Sequence, residues 1–331
     1  MLVAVNAALI AIGYLVIPAQ GERAGKGVRV GLVFDVGGKN DKSFNSAAWR
    51  GVLRAQRELG VEVEIIEPSE GADRETALRR LAAKHVDLVI GVGYVVSGTL
   101  DRLAADFPDV KFAGIDYASS SGQLAPNLAA LTFREQEGAF LVGAIAGLLT
   151  NTKVVGFVGG MKIPLIRKFE AGYEAGVAHV CKDCRVVGAY AGADPKAFAD
   201  APLGAELAAA QVAEGADILF HAAGKTGDGM FAVVRERGLR AIGVDSDQYD
   251  QLPCCLVTSM LKRVDTAVFD ITKDVIEHRF RGGFHELGLK EDGVGFVSDE
   301  RNAKLLPLEV VQQVRALREQ IIAGTIKVPS T

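Results

Sequence analysis

The sequence concentrates side chains suited to binding a small molecule between residues 33 and 45. Four of them could touch a ligand directly: Asp35, Asp41, Phe44 and Asn45. The adjacent Gly37 and Gly38 permit a tight turn between a strand ending near Phe34 and a helix beginning near Ser46. Since open α/β sheets bind ligands at the carboxyl ends of their strands, this pattern predicts a recognition loop. It contains no nucleophile with an adjacent base, which favours binding over catalysis.

Two aspartates end apolar strands in nearly identical contexts. Asp116 follows Ala113-Gly114-Ile115, and Asp245 follows Ile242-Gly243-Val244. An aspartate in this position is more often a cap on the next turn, and that alternative stays open for each residue alone. The pair favours ligand contact, because a carboxylate can accept hydrogen bonds from both hydroxyls of a cis-diol. Together they predict a site for a sugar-like group.

A glycine-rich segment, residues 222–231, is the counterpart of this loop in the second half of the chain. Its Gly224-Lys225-Thr226 resembles the end of a phosphate-binding loop, but that pattern needs a glycine where Leu219 stands. Phe231 lies near the start of the next helix, as Phe44 does in the first half. Core packing is the alternative for Phe231. If both rings faced a cleft, they would stack on a planar heterocycle, each contributing about 1–3 kcal/mol.

The elements that must position these residues alternate between short apolar runs and amphipathic stretches. Strands are predicted at Val28–Phe34, Val61–Ile66, Val86–Val92, Lys111–Ile115 and Leu128–Phe133, and then at Lys153–Val158, Val186–Tyr190, Asp217–His221, Arg240–Val244 and Leu256–Met260. Helices are predicted at Ser46–Leu59, Asp73–Lys84, Ser97–Asp106, Arg134–Leu149, Pro164–His179, Leu203–Glu214 and Asp228–Arg237. Such alternation is typical of βαβ units, so the sequence predicts an α/β fold with two doubly wound parallel-sheet lobes.

The chain beyond Met260 is too short for a third domain and is predicted to complete the two lobes. It offers a long helix from Leu261 to about Phe280 and a final helix from about Pro307 to Ile322. The N-terminal lobe would then comprise residues 27–133 and 262–297, and the C-terminal lobe residues 134–261 and 298–331. A multi-strand hinge between such lobes is typical of proteins that close on a ligand.

Lys262 is predicted at the start of the long helix, near this hinge. There it would donate to a ribose hydroxyl or to a ring heteroatom while Asp116 or Asp245 accepts. A solvated lysine on the helix surface is the alternative. The five histidines show no spacing typical of metal ligands, so neither a metal nor a cofactor is expected.

Length, composition and charge narrow the functional class. A chain of 331 residues that is 49% hydrophobic can form two cores, and its net charge of −4 gives no general basic surface for nucleic acid. Residues 1–26 are expected to be an export signal, since the apolar run from Leu2 to Ile17 has the length of a signal core. An uncleaved membrane anchor and a buried first strand are the alternatives. No cysteine lies near this segment, so lipid attachment is not expected.

The four cysteines form two short-range sets, Cys181 with Cys184 and Cys254 with Cys255. In an exported protein an even number favours disulfides, although their pairing stays open. A thioredoxin-like site would need the first set at a helix start after a strand, but a predicted helix precedes it and a strand follows. A zinc site would need vicinal ligands of poor geometry. We therefore expect a structural role.

Taken together, these motifs resemble the basic membrane protein family, the substrate-binding components of ABC importers that include purine-nucleoside receptors. The resemblance is carried by Asp35 to Asn45, Ala48-Trp49-Arg50-Gly51, Gly138 to Gly143, Gly156 to Gly160, Gly172 to Gly176, Gly224 to Phe231 and Thr258 to Lys262. It implies a type I periplasmic-binding-protein fold that closes on a nucleoside. Phe44 and Phe231 would stack on the base, whose edge Asp35, Asp41 and Asn45 would read. Asp116, Asp245 and Lys262 would hold the ribose.

The resemblance also implies a partner and a location. The protein would be a monomer in the periplasm and would hand its nucleoside to an ABC permease in the inner membrane, with no nucleic acid partner and no enzymatic activity. Three alternatives stay open. The same kind of receptor could bind a sugar or another small polar ligand. A nucleoside-cleaving enzyme would have to use Asp35 and Asp41. The effector domain of a sugar-responsive repressor shares the fold but normally follows a DNA-binding segment.

Overall fold

The computed structural model describes residue 25 and residues 27–67, 74–118 and 122–331. The predicted export signal therefore lies outside the described residues, apart from Gly25. Within the described ranges, none of the helices combines the length and the apolar character needed to cross a membrane.

The first lobe is built on a six-stranded parallel sheet. Its strands are β1 (Arg29–Val33), β2 (Glu62–Ile66), β3 (Leu88–Val92), β4 (Lys111–Ile115), β5 (Leu128–Phe133) and β11 (Gly283–Leu287), in the order β11-β5-β4-β3-β1-β2. Its helices are α1 (Phe44–Leu59), α2 (Arg74–Ala83), α3 (Ser97–Asp106) and α8 (Val264–Ile276). The central strand β3 is buried along its whole length, as expected for a parallel strand covered by helices on both faces.

The second lobe repeats this architecture with one antiparallel edge. Its strands are β6 (Val154–Met161), β7 (Arg185–Gly192), β8 (Ile218–Ala222), β9 (Arg240–Asp245), β10 (Leu256–Lys262) and β12 (Val294–Phe296), in the order β12-β10-β9-β8-β6-β7. Its helices are α4 (Glu135–Leu149), α5 (Pro164–Val180), α6 (Ala201–Ala213), α7 (Gly227–Arg237) and α9 (Leu308–Ile322). Only β12 runs antiparallel to its neighbour in this sheet. The predicted pair of doubly wound lobes is confirmed.

The chain passes between the two sheets three times, and these crossings form the hinge. They lie between β5 and α4, between β10 and α8, and between β11 and β12. Two details differ from the sequence prediction. Lys262 is the last residue of β10 rather than part of a helix, because Met260 to Lys262 pair with β12. The segment Val294–Phe296, assigned to the N-terminal lobe, consequently belongs to the second sheet.

The cysteines form two disulfides between near neighbours in sequence. Cys181 bonds to Cys184 in the turn between α5 and β7, and Cys254 bonds to Cys255 just before β10. The first disulfide follows a helix and precedes a strand, which is the reverse of a thioredoxin-like arrangement. Both bonds lie in connections that lead directly into strands of the second lobe's sheet.

Candidate functional site

A pocket lies between the lobes at the carboxyl ends of both sets of strands. The space amounts to about 600 Å³, including the part that opens to solvent. Seven of the eight residues predicted for the site line it: Asp35, Asp41, Phe44, Asn45, Asp116, Asp245 and Lys262. The topology therefore brings together side chains that are up to 227 positions apart (262 − 35) in the sequence. Phe231 is the exception.

The loop after β1 is held in place by its own polar side chains. Gly37 and Gly38 both adopt positive φ, at 96° and 66°, which explains the paired glycines of the sequence. The Asp41 carboxylate accepts hydrogen bonds from the backbone amides of Asn45 and Ser46, at 2.8 and 3.0 Å, and so caps the first turn of α1. This cap fixes the start of the helix and with it the Phe44 ring.

Asn45 is buried, and each of its side-chain atoms is bonded within the loop. Its amide oxygen accepts from the Asp35 backbone amide at 2.8 Å, and its amide nitrogen donates to the Val36 carbonyl and to Asp41. Asn45 and Asp41 thus make their hydrogen bonds within the loop and the start of α1, although both were predicted to contact the edge of a base. Their place in the pocket is consistent with that prediction, but their contacts are those of supporting residues.

Asp35 keeps an oxygen available for a ligand. Its Oδ1 accepts from the Val36 amide at 2.8 Å, and no hydrogen bond from the described residues reaches Oδ2. Burial raises the pKa of this carboxyl to about 6, against the lowering effects of the Val36 amide and of Arg74. Gly93 leaves room for the group, because a Cβ at that position would lie 2.0 Å from Asp35 Oδ2. Asp35 can therefore face a ligand mainly as an acceptor above about pH 6 and as a donor below it.

Asp116 and Asp245 occupy equivalent positions in the two lobes. Asp116 directly follows β4 and Asp245 ends β9, and both adopt the left-handed conformation, with φ of 58° and 62°. Non-glycine residues in this region are uncommon and are concentrated at functional sites. Burial raises the pKa of both carboxyls, to about 6 for Asp245, although Lys262 opposes the rise in each case.

Lys262 is 2% exposed and lies among carboxylates and aromatic rings. Its Nζ donates to Asp116 Oδ2 at 2.7 Å and lies 3.0 Å from Glu135 Oε1. It also lies 5.1 Å from the centre of the Phe44 ring. Burial alone lowers the pKa of this ammonium, but Asp116, Glu135 and Asp245 outweigh burial and hold the pKa above its usual value. The lysine is therefore a charged donor in the pocket.

The expected stacking role of Phe231 is wrong. The residue is 2% exposed and packs in the core of the second lobe, with its ring edge-on to His221 at 5.1 Å. Phe44 is the first residue of α1 and points into the cleft, whereas Phe231 is the fifth residue of α7, more than one turn from the helix start. This offset directs the Phe231 ring into the core of the second lobe rather than into the cleft.

Phe198 takes the place that was expected for Phe231. It ends a short 3-10 turn, Pro195–Phe198, and its half-buried ring lines the pocket from the second lobe. The ring lies directly against Gly160, where a Cβ would come within 2.2 Å of it. Sequence reasoning missed this role, although Asp194 and Pro195 signal the turn that presents the ring.

The lobes also contact one another directly beside the pocket. Ser43 Oγ donates to Asp245, Ser246 Oγ donates to the Ser43 carbonyl at 2.8 Å, and Arg50 donates to Ser246 Oγ at 2.9 Å. Gln248 donates to the Lys42 carbonyl at 3.3 Å. These contacts link the recognition loop of the first lobe to the end of β9, so the structure represents closed lobes.

Comparison with known proteins agrees with this architecture. Residues 28–331 match the model of a family described as ABC transporter substrate-binding protein, PnrA-like. A basic membrane protein A of Borreliella burgdorferi is 36% identical over 91% of this chain and 88% of its own. An uncharacterized lipoprotein of Pyrococcus abyssi is 37% identical over 90% of this chain and 79% of its own. A solved ABC transporter solute-binding protein of Aeropyrum pernix is 34% identical, covers 92% of this chain and 94% of its own, and has a TM-score of 0.80.

More distant structures share the fold alone. A dimeric Lac repressor is 15% identical with a TM-score of 0.57, and it covers 82% of this chain and 97% of its own.

Proposed function

Because this chain belongs to the family of PnrA-like substrate-binding proteins of ABC transporters, we propose that it captures a nucleoside, with a purine as base, between its two lobes. The observation that carries the proposal is the composition of one pocket. It joins an aromatic ring from each lobe with two strand-end carboxylates and a buried ammonium. A planar base and a ribose diol match these two sets of groups. The bound ligand would pass to a membrane permease.

The base would lie between Phe44 of the first lobe and Phe198 of the second. Each ring would contribute about 1–3 kcal/mol of stacking. Asp35 would contact the edge of the base, since no hydrogen bond from the described residues reaches its Oδ2. With a pKa of about 6, the carboxyl could accept from an N–H when ionised or donate to a ring nitrogen when protonated.

The ribose would lie against Asp116, Asp245 and Lys262. The two carboxylates accept hydrogen bonds from hydroxyls and Lys262 donates one, a combination that suits a diol. Carboxylates outnumber cations in this part of the pocket, and no complete phosphate-binding loop follows β8. A phosphate group would therefore meet like charge, so the site should prefer nucleosides to nucleotides.

The hydrogen bonds of Asp41 favour binding without catalysis. A nucleoside-cleaving enzyme would need Asp35 and Asp41 as a working pair, but Asp41 caps α1 with both of its oxygens.

We propose that the protein acts as a monomer in the periplasm. The lobe contacts around Ser43 and Ser246 would then report the closed state that the permease recognises.

A thermal-shift screen followed by calorimetry tests the proposal. The ligands are purine and pyrimidine nucleosides, the matching free bases and monophosphates, and simple sugars. At a hundredfold excess over Kd, a ligand that binds only the folded state stabilises it by about 2.7 kcal/mol. Stabilisation by purine nucleosides but not by their monophosphates is expected. Stabilisation by sugars alone would overturn the nucleoside assignment, and release of free base during incubation would overturn the non-catalytic role.

A further inference from the structure

Glu135 is a buried carboxylate that does not line the ligand pocket. It is the first residue of α4 and is 0% exposed. Its Oε1 lies 3.0 Å from Lys262 Nζ, and its Oε2 lies 3.2 Å from Lys168 Nζ on α5. Lys168 also donates to the carbonyl of Phe133, the last residue of β5, at 3.0 Å. The carboxylate thus bridges two lysines at the point where the chain enters the second lobe.

The position of Glu135 in the hinge differs from that of Asp116, the other partner of Lys262. Glu135 follows the first crossing between the lobes, and Lys262 immediately precedes the second. Both belong to the second lobe, whereas Asp116 belongs to the first. If the lobes separate about this hinge, Asp116 would move with the first lobe, whereas Glu135 and Lys262 both lie in the second lobe and would keep their contact.

A buried lysine needs a fixed partner to be useful to a ligand. Its side chain is long and loses considerable rotamer freedom when it is held in one place. An ammonium that has lost its carboxylate partners in an apolar site is also costly to keep charged, and the rings of Phe44, Phe133 and Phe169 surround this one. Preorganising a binding group before the ligand arrives increases affinity because less freedom is lost on binding.

Building on the proposed function, we infer that Glu135 is a positioning residue for nucleoside binding. It holds the Lys262 ammonium at the hinge in the open protein, ready for the ribose hydroxyls and for Asp116 when the lobes close. Lys168 neutralises the second oxygen of Glu135 and ties it to the end of β5. Glu135 itself does not touch the ligand, and its effect is transmitted through Lys262.

The test compares Glu135→Gln with wild type, using a purine riboside and its 2′,3′-dideoxy counterpart in calorimetry. The amide keeps the shape of the side chain but removes its charge. For the riboside, Glu135→Gln should raise Kd by about tenfold, because the Lys262 ammonium loses the ion-pair partner that lies in its own lobe. For the dideoxy compound, which lacks the hydroxyls that Lys262 would contact, the change should be less than about twofold.

Two further variants separate positioning from simple loss of stability. Asp217→Asn is the matched control, because Asp217 is 8% exposed, accepts from Thr150 and Asn151, and lies before β8, away from the pocket. It should lower the melting temperature and leave both Kd values unchanged. Lys168→Met keeps Glu135 but frees its second oxygen, and should weaken riboside binding in the same selective way. This variant also serves if Glu135→Gln does not fold.

The outcomes distinguish this inference from the proposed function. If wild type binds the riboside, but Glu135→Gln and Lys168→Met weaken the binding of the riboside and of the dideoxy compound by the same factor, Glu135 is a structural residue and the inference is overturned. Unchanged riboside affinity in folded Glu135→Gln overturns it equally. If wild type binds no nucleoside at all, the proposed function fails, and the inference that rests on it fails with it.

Discussion

The sharpest prediction compares two phenylalanines of the second lobe, Phe198 and Phe231. Phe198 lines the pocket with a half-buried ring, whereas Phe231 is 2% exposed in the lobe core. Phe198→Ala should remove one stacking contact of about 1–3 kcal/mol, which corresponds to a roughly 5- to 150-fold higher Kd. Phe231→Ala should instead leave a core cavity and cost about 3–5 kcal/mol of unfolding free energy.

The assay measures both quantities on both variants. Calorimetry with the best nucleoside of the screen gives Kd, and urea denaturation of the ligand-free protein gives the free energy of unfolding. Phe198→Ala should lie within about 1 kcal/mol of wild-type stability because its ring is partly solvated. Phe231→Ala, at a temperature where it is folded, should bind within about threefold of wild type. A weaker-binding Phe231→Ala beside an unaffected Phe198→Ala would refute the placement of the second ring.

Three further results are expected. Because burial raises the pKa of Asp245 from 3.8 to about 6 in the folded protein, the folded state binds more protons than the unfolded state between these values, and the contribution of this group to stability falls as pH rises. As the pH rises from 4.5 to 7, the unfolding free energy of Asp245→Asn should therefore increase by about 2 kcal/mol relative to that of wild type, as measured by urea denaturation. A pH-independent difference would contradict the raised pKa. Asp41→Ala should lose about 0.5–2 kcal/mol of stability together with nucleoside affinity, whereas Asp200→Ala, which removes the equivalent cap of α6, should lose stability alone. Ser246→Ala removes two hydrogen bonds between the lobes and should weaken nucleoside binding about five- to thirtyfold. X-ray scattering of the ligand-bound variant should also give a larger radius of gyration than wild type. If neither the Kd nor the radius changes, these contacts do not hold the lobes closed.

Residues that follow strands were the predictable part of the site. A parallel sheet places the carboxyl ends of its strands at one edge, so Asp35, Asp116 and Asp245 could be assigned to a common cleft before any distance was known. The recognition loop was equally legible, because paired glycines followed by a helix start have few geometries. These assignments depend only on local pattern and on fold class.

Residues whose position depends on distant pairing were not predictable in the same way. The apolar spacing after Met260 suits a helix, and only the pairing of β10 with β12 extends the strand to Lys262. Phe231 was misplaced because the 3-10 turn at Gly224–Thr226 sets where α7 begins. Glu135 gave no signal, since a glutamate at a helix start is ordinary until a lysine 127 positions away (262 − 135) is found beside it.

The left-handed backbone at Asp116 and Asp245 restricts how this receptor can acquire a new specificity. Most side chains lose about 1–2 kcal/mol in that conformation, while glycine, asparagine and aspartate tolerate it. Random replacement at either position would thus mix a change of ligand contact with a loss of folding. Libraries that vary Asp35, Phe198 and Tyr94, whose backbones are not in this region, would search new ligands without that burden. Under the proposed function, the strand-end aspartates bind the ligand's hydroxyls, and new specificity would come from other residues that line the pocket.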